Sequence, residues 1–163
     1  MKDKRHRIDS VQFERHTYQV SHLIASFIVP MMRRLYREFD GDMVEIIVLG
    51  EISMRNVGSF FQRAGVDAPE KLLDDETRRV QLMRPCNALS ISEATGIPRE
   101  TVRRKVNDLI EKGWLYRDAR KRLMVRKGVG NRMLRGNART AMEILELAER
   151  LNRLLSHSAD PGE

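Results

Sequence analysis

The chain has 163 residues, room for one compact domain or a small domain with helical extensions, and 41% are hydrophobic against 33% charged, which excludes a disordered tail. Its best apolar stretch, 23–32, is ten residues long, about half of the roughly 20 that a spanning helix requires, so no membrane segment is expected. Thirty Lys and Arg against 23 Asp and Glu give a net charge of +7 and a pI near 10.0, the balance of a chain that meets a polyanion.

Residues 1–17 are polar, without helical or strand period, and read as a flexible basic arm; they also lack the apolar core and cleavage site of a secretory leader. Residues 18–64 read as a helical hairpin. In its first arm Val20, Ile24, Phe27, Ile28, Met31 and Leu35 follow the 3.6-residue period, with a kink expected at Pro30. Gly41 closes that arm in a left-handed conformation, and Asp42 with Glu45 resembles a capping box opening the second. From 43 to 61 apolar residues occupy nearly every side, which predicts deep burial or a subunit interface. A strand also fits the start of this segment, but the pattern runs on through Val57, Phe60 and Phe61 and favours a helix, against the cost of Gly50 and Gly58.

A linker is expected at 65–74, where Gly65 and Pro69 stand among acids, and a DNA-binding unit at 75–128. Asp75 caps a short helix through Met83, ended by Pro85. Ser90 and Glu93 form a second capping signature, Gly96 stops that helix, and Pro98 suits the first turn of the next. Residues 99–112 carry Val102, Val106, Leu109 and Ile110 on one face and cations on the other. After Gly113, runs at 114–117 and 122–125 flank the turn 118–121 as a hairpin, and Gly128 and Gly130 release the chain. The last helix, 129–156, sets Leu134, Ala138, Ala141, Leu145, Ala148, Leu151 and Leu155 at three- and four-residue steps and reads as a dimerisation helix; 157–163 is a disordered tail.

Charge is concentrated. Between Arg99 and Lys127 eleven cations face four anions, which accounts for the whole +7, while the remainder of the chain is balanced. A helix, a glycine turn, a helix with one basic face and a β-hairpin make a winged helix-turn-helix. The fold class expected is therefore mainly α: a winged helix-turn-helix with an N-terminal helical hairpin and a long C-terminal helix. The run LSISEATGIPRETVRRKVNDLIEKGWL resembles bacterial winged helix-turn-helix transcription regulators, and its Gly96-to-Arg104 portion is similar to the recognition-helix motif of the cyclic-AMP receptor protein family. Ile91 and Val102 take that motif's core positions and Ser92 its point of close helix approach, whereas Pro98 replaces the usual Ser and removes a side-chain cap. The resemblance covers about fifty residues, and no glycine-rich β-roll for a cyclic nucleotide accompanies them. Helices before and after the winged unit resemble the plan of the multiple-antibiotic-resistance regulator (MarR) family, whose terminal helices make a dimer.

The resemblance implies that Arg99, Glu100 and Arg104 occupy base-contacting positions, with Arg103 beside them. The chemistry agrees: the major groove admits one helix, Arg gives paired hydrogen bonds to guanine, and Glu accepts from cytosine N4. Thr101 and Lys105 are placed as phosphate partners, and Arg120, Lys121 and Arg122 at the wing tip reach the backbone or a minor groove. The function expected is a cytoplasmic, homodimeric, sequence-specific regulator of transcription, by default a repressor on palindromic duplex DNA. A non-specific architectural or replication-associated DNA protein, using the basic arm 2–7, stays open, as does a winged-helix protein-interaction module.

Other residues carry less. The single Cys86 suits a reducing compartment and burial as a small hydrophobe better than a reactive thiol. His6, His16, His22 and His157 have no metal-ligand spacing, and no cofactor is implied. Met31, Met32, Met43 and Met54 are candidates to line a small-molecule effector pocket, against their ordinary use as core filler. Trp114 is expected to anchor the hairpin against the core. With no nucleophile, base or paired-carboxylate pattern, an enzyme is not expected.

Overall fold

The computed structural model describes residues 9–65, 70–73 and 75–156. The arm at 2–7, His6, His157, the tail, half of the 65–74 linker and the Leu134 side chain lie outside them. Mainly helical, the described chain has one two-stranded antiparallel sheet and forms two compact units, one from 1–34 with 134–163, the other from 35–133.

Helix begins earlier than the arm reading expects. Helix α1 (Ser10–Arg15) is opened by Asp9, whose carboxylate accepts from Val11 N at 2.9 Å and Gln12 N at 3.2 Å, and α2 (Thr17–Glu38) follows at once. The local cap supplies what the apolar pattern lacks. Helix α2 carries Pro30 inside it and is one continuous element on both sides of the proline. In this first unit α2 pairs with α7 (Val129–Leu155): both terminal nitrogens of Arg34 meet the Glu143 carboxylate, at 3.0 and 2.5 Å, and Arg139 adds a third bond at 2.9 Å. Those hydrogen bonds, Arg34's first, hold the Glu143 carboxyl below the usual carboxylate range. Val20, Leu23 and Leu155 are buried here, while Ile24, Met32, Met142 and Leu145 remain exposed.

In the second unit α3 (Met43–Ala64) is the central helix. Its buried residues Glu45, Val48, Leu49, Ile52, Asn56 and Phe60 form one stripe, so burial on nearly every side is not what the fold provides; Met54 is 69% exposed. The expected 18–64 hairpin is accordingly divided. Most of α2 belongs to the first unit, while α3 joins the core that the 75–128 segment lacks by itself, because three short helices and a hairpin enclose too little apolar surface. Asp42 caps α3 through Glu45 N at 2.9 Å, but the Glu45 side chain turns elsewhere, so only half of the expected capping box forms.

The remaining elements close on α3. A 3₁₀ turn (Glu70–Leu73) lies in the linker, and α4 (Glu76–Leu82) is capped by Asp75 as expected. Helices α5 (Ala88–Thr95) and α6 (Arg99–Glu111) precede strands β1 (Leu115–Arg117) and β2 (Leu123–Val125), paired Leu115 to Val125 and Arg117 to Leu123. Cys86 forms an isolated bridge to Leu123 on the far edge of β2. Trp114 packs on Phe39, ring centroids 5.5 Å apart, in the role expected of it. Every β2 residue is buried.

A buried asparagine joins these layers. Asn56 Oδ1 accepts from Val125 N at 2.8 Å, while its Nδ2 donates to Arg84 O at 3.0 Å and Leu123 O at 3.2 Å. From α4, the buried Arg79 guanidinium donates to Val125 O.

Candidate nucleic-acid interface

Local chemistry sets the angle between α5 and α6. The cap of α5 lies one turn before the expected Ser90: Asn87 accepts from Ser90 N at 2.9 Å, and Ser90 Oγ reaches back to Asn87 N. Ser90 is thus the third residue of the box rather than its first, and Glu93 has no part in it. Gly96 then turns with φ 71° and ψ 1°, a left-handed conformation that favours glycine. Ser92 Oγ donates to Ile97 O at 2.7 Å, and Thr95 Oγ1 accepts from Ile97 N at 3.2 Å, which pins the chain leaving the turn. Pro98 stands at the N-cap of α6, one position before the first turn, with no side-chain cap bond.

Helix α6 buries Val102, Val106 and Leu109, and Ile91 meets them from α5. On its other face Arg99, Glu100, Arg103, Arg104 and Asn107 are exposed, with Thr101 half-buried at the edge. A weak pair joins Arg103 to Glu100 at 3.3 Å, with both side chains mostly in water. The hairpin is tied to this same face. Arg117 Nη2 donates to Asn107 Oδ1 at 2.8 Å, so the β1 strand is hydrogen-bonded to the solvent face of α6.

The hairpin tip is built around Asp118. Its Oδ1 accepts from Arg120 N at 2.9 Å and Arg122 N at 2.8 Å, its Oδ2 accepts from Arg122 Nε at 2.8 Å, and Lys121 adopts φ 58°. The Arg122 side-chain bond, followed by the backbone bonds, holds the Asp118 carboxyl below its usual range. Arg122 thus braces the turn.

Lys105 is engaged as well. Only 15% of its side chain is exposed, and its ammonium pairs with Asp42 and, at 3.4 Å, with Asp108 rather than standing free for a phosphate. A second pair repeats the pattern about two helical turns on, at the end of α6: Lys112 Nζ donates to both oxygens of the buried Glu45, at 2.8 and 2.9 Å. Two α6 lysines thus hold the N-terminal turn of α3. Of the expected site cations, Arg99, Arg104, Arg120 and Lys121 have no side-chain ion pair or hydrogen bond among the described residues.

The Asp42–Lys105 pair predicts a pH dependence. Burial opposes ionisation of Asp42, but bonds from Lys105 and Glu45 N and the nearby ammonium charges leave its carboxyl lowered. Lys105 is raised, chiefly by its bond to Asp42. The carboxylate's contribution is complete above its ordinary value of 3.8 and lost as pH falls through the lowered one; the lysine's is complete below 10.5 and lost as pH climbs through the raised one. Asp42→Asn is expected to lower the urea midpoint at pH 7, and the difference from wild type should shrink as pH falls through the lowered carboxyl value.

Cys86 is 8% exposed, and burial pushes its thiol up to about 11, so it stays protonated and unreactive at neutral pH. The methionine pocket does not form as one site. Met43 and Met54 line separate cavities of the second unit, about 16 Å apart along α3, and Met31 and Met32 belong to the first unit. No group of three or more potential metal ligands occurs among the described residues, and none of the described helices is long and apolar enough to cross a membrane.

No family model, curated protein or solved structure matches the chain.

Sequence reasoning missed Asn107 and Arg117, which join helix and hairpin, and the acids Asp42 and Glu45 that occupy two lysines. All three contacts are long in sequence or cross between elements, so no local period marks them.

Proposed function

We propose that the chain is a sequence-specific duplex-DNA-binding transcription regulator whose winged helix-turn-helix comprises α3, α5, α6 and the β1–β2 hairpin. The observation that carries the reading is the Arg117–Asn107 bond. It fixes the hairpin to the α6 face that exposes Arg99, Arg103 and Arg104, so helix and wing present their cations on joined elements. Arg104 and Arg99 reach base edges in the major groove, while Arg120 and Lys121 at the wing contact phosphate. Glu100 exchanges its weak Arg103 partner for a cytosine amino group.

The protein acts as a cytoplasmic homodimer. Exposed Ile24, Met32, Met142 and Leu145 on the α2/α7 unit leave apolar surface that a second copy covers, and twofold symmetry matches a palindromic operator. Repression by occupying a promoter follows from tight, specific binding.

Selection of random duplex DNA by the purified protein at physiological salt tests this reading. An enriched palindrome with half-sites one DNA turn apart, ~34 Å, is expected; a bound but unenriched pool would replace it with the architectural function. On the selected site, Arg104→Ala is expected to cost about 1–3 kcal/mol and relax preference at one base position, whereas Lys121→Ala weakens all sequences alike. Equal losses on every sequence for both variants would remove Arg104 from the base readers.

A further inference from the structure

An uncharged amide and a guanidinium meet where the hairpin joins α6. Asn107 follows Arg103 by four positions and Arg104 by three, which puts all three on one helix face, and each is exposed, as is Arg117 on β1. The bond from Arg117 Nη2 to Asn107 Oδ1, at 2.8 Å, decides which end of the amide is available. Arginine carries donors and no acceptor, so the amide oxygen faces it and the Nδ2 donors are turned away. Nδ2 makes no hydrogen bond among the described residues, in contrast to the buried Asn56, whose amide is used at both ends. Arg117 makes no ion pair among the described residues either, since the carboxylate next to it in sequence, Asp118, is taken by Arg122. The nearest acids on α6 are Asp108, which Lys105 engages at 3.4 Å, and Glu111, one turn beyond Asn107. The junction therefore offers one guanidinium without a countercharge and one amide whose donors are unused.

We propose that Asn107 and Arg117 form a phosphate clamp, in which one phosphate of the DNA backbone accepts from Asn107 Nδ2 and from the Arg117 donors not spent on Asn107. The inference rests on the DNA-binding function proposed above and adds two contacts to it. Phosphate oxygens only accept, which matches a junction that only donates, whereas base edges mix donors and acceptors. The guanidinium charge further rewards an anionic partner over a neutral one. Asn107 also lies about 12 Å along α6 from Arg99, whereas base readers gather near the start of a recognition helix. A phosphate held here bridges helix and hairpin and fixes the register of both on one strand.

Methylphosphonate scanning of the selected duplex tests the clamp, because each substitution removes the charge of one phosphate. At the clamped phosphate, substitution should weaken the wild type about tenfold or more, while the Asn107→Ala/Arg117→Met double variant should bind the substituted and natural duplexes alike. Asn107→Ala should weaken binding to every sequence about tenfold with the salt slope unchanged, since a neutral donor displaces no counterion. Arg117→Met should lower the slope by about one per subunit, and Arg117→Lys, which keeps the charge without the fork, should retain it. The affinity and slope readings hold on random duplex as well. A bond that only fastens the hairpin would instead give variants with weaker binding and the wild-type methylphosphonate profile, and that result would overturn the clamp. Relaxed preference at one base position in Asn107→Ala, or undiminished affinity in both single variants, would overturn it too. Any of these with DNA still retained by the wild type removes the clamp alone, whereas no retention by the wild type removes the DNA function and the clamp with it.

Discussion

Asn56→Ala is expected to lower the unfolding free energy by about 3–5 kcal/mol, the largest loss for any single uncharged side chain in the second unit. Asn56 is 0% exposed, and its amide serves Val125 N, Arg84 O and Leu123 O together. Truncation leaves these groups in a cavity too apolar to replace the bonds, at roughly 1–3 kcal/mol for each group that goes unpaired. Leu123 O retains a long bond from Cys86 N at 3.4 Å, which keeps the total below three full penalties. Asn56→Asp separates hydrogen bonding from volume: it keeps the acceptor for Val125 N but sets a carboxylate against two carbonyls, so it should be at least as damaging. Urea denaturation of the three proteins at one pH is the check. A loss under about 1 kcal/mol for both variants would show that the network adds little beyond packing.

The second large effect is expected from Lys112→Met. Glu45 is 2% exposed, and both its oxygens accept from the Lys112 ammonium. Breaking a buried pair from one side costs roughly 3–5 kcal/mol, because the remaining charge is left without a partner. Here about 2–4 kcal/mol is expected, since the Lys112 side chain is 45% exposed and water reaches its end of the pair. Replacing both residues, Glu45→Leu with Lys112→Met, should restore most of the loss, because an apolar pair carries no desolvation cost. The comparison is a double-mutant cycle by urea denaturation. If the double variant is as unstable as the single, the ion pair is not the cause. The raised Lys112, set chiefly by its bond to Glu45, implies that this contribution persists below 10.5 and is lost as pH climbs through the raised value.

Together the two predictions distinguish what holds α6 from what holds the hairpin. Lys105 and Lys112 tie α6 to the first turn of α3, while Asn56 ties the middle of α3 to β2. Each device supports an element of the proposed DNA surface without belonging to it, so either loss should reduce DNA binding through the folded fraction.

Much of the architecture was readable along the chain, and the reason is that its signals are local. Asp75 as a cap, Gly96 in the left-handed turn, the Val102–Val106–Leu109 face and the hairpin around Asp118 depend on residues within about one turn of each other, and the structure places each as expected. Boundaries shifted where two local signals competed: Asn87 displaced Ser90 as the cap because its side chain reaches Ser90 N, and Asp9 opened a helix in a segment without apolar period.

Assignment of α3 to its partners required tertiary structure. Its apolar residues predict burial, but not whether α2, a second copy or the α5–α6 pair provides it; the choice falls to α5, α6 and β2, which have an exposed core that only this stripe fills. The same holds for charge. Composition and spacing determine that cations gather between Arg99 and Lys127, whereas the folded chain decides that Lys105, Lys112 and Arg122 serve Asp42, Glu45 and Asp118, leaving Arg99, Arg104, Arg120 and Lys121 free of such partners among the described residues. Periodicity reports which face of an element is apolar or charged; which group meets that face depends on contacts between residues distant in sequence, and those exist only once the chain has folded.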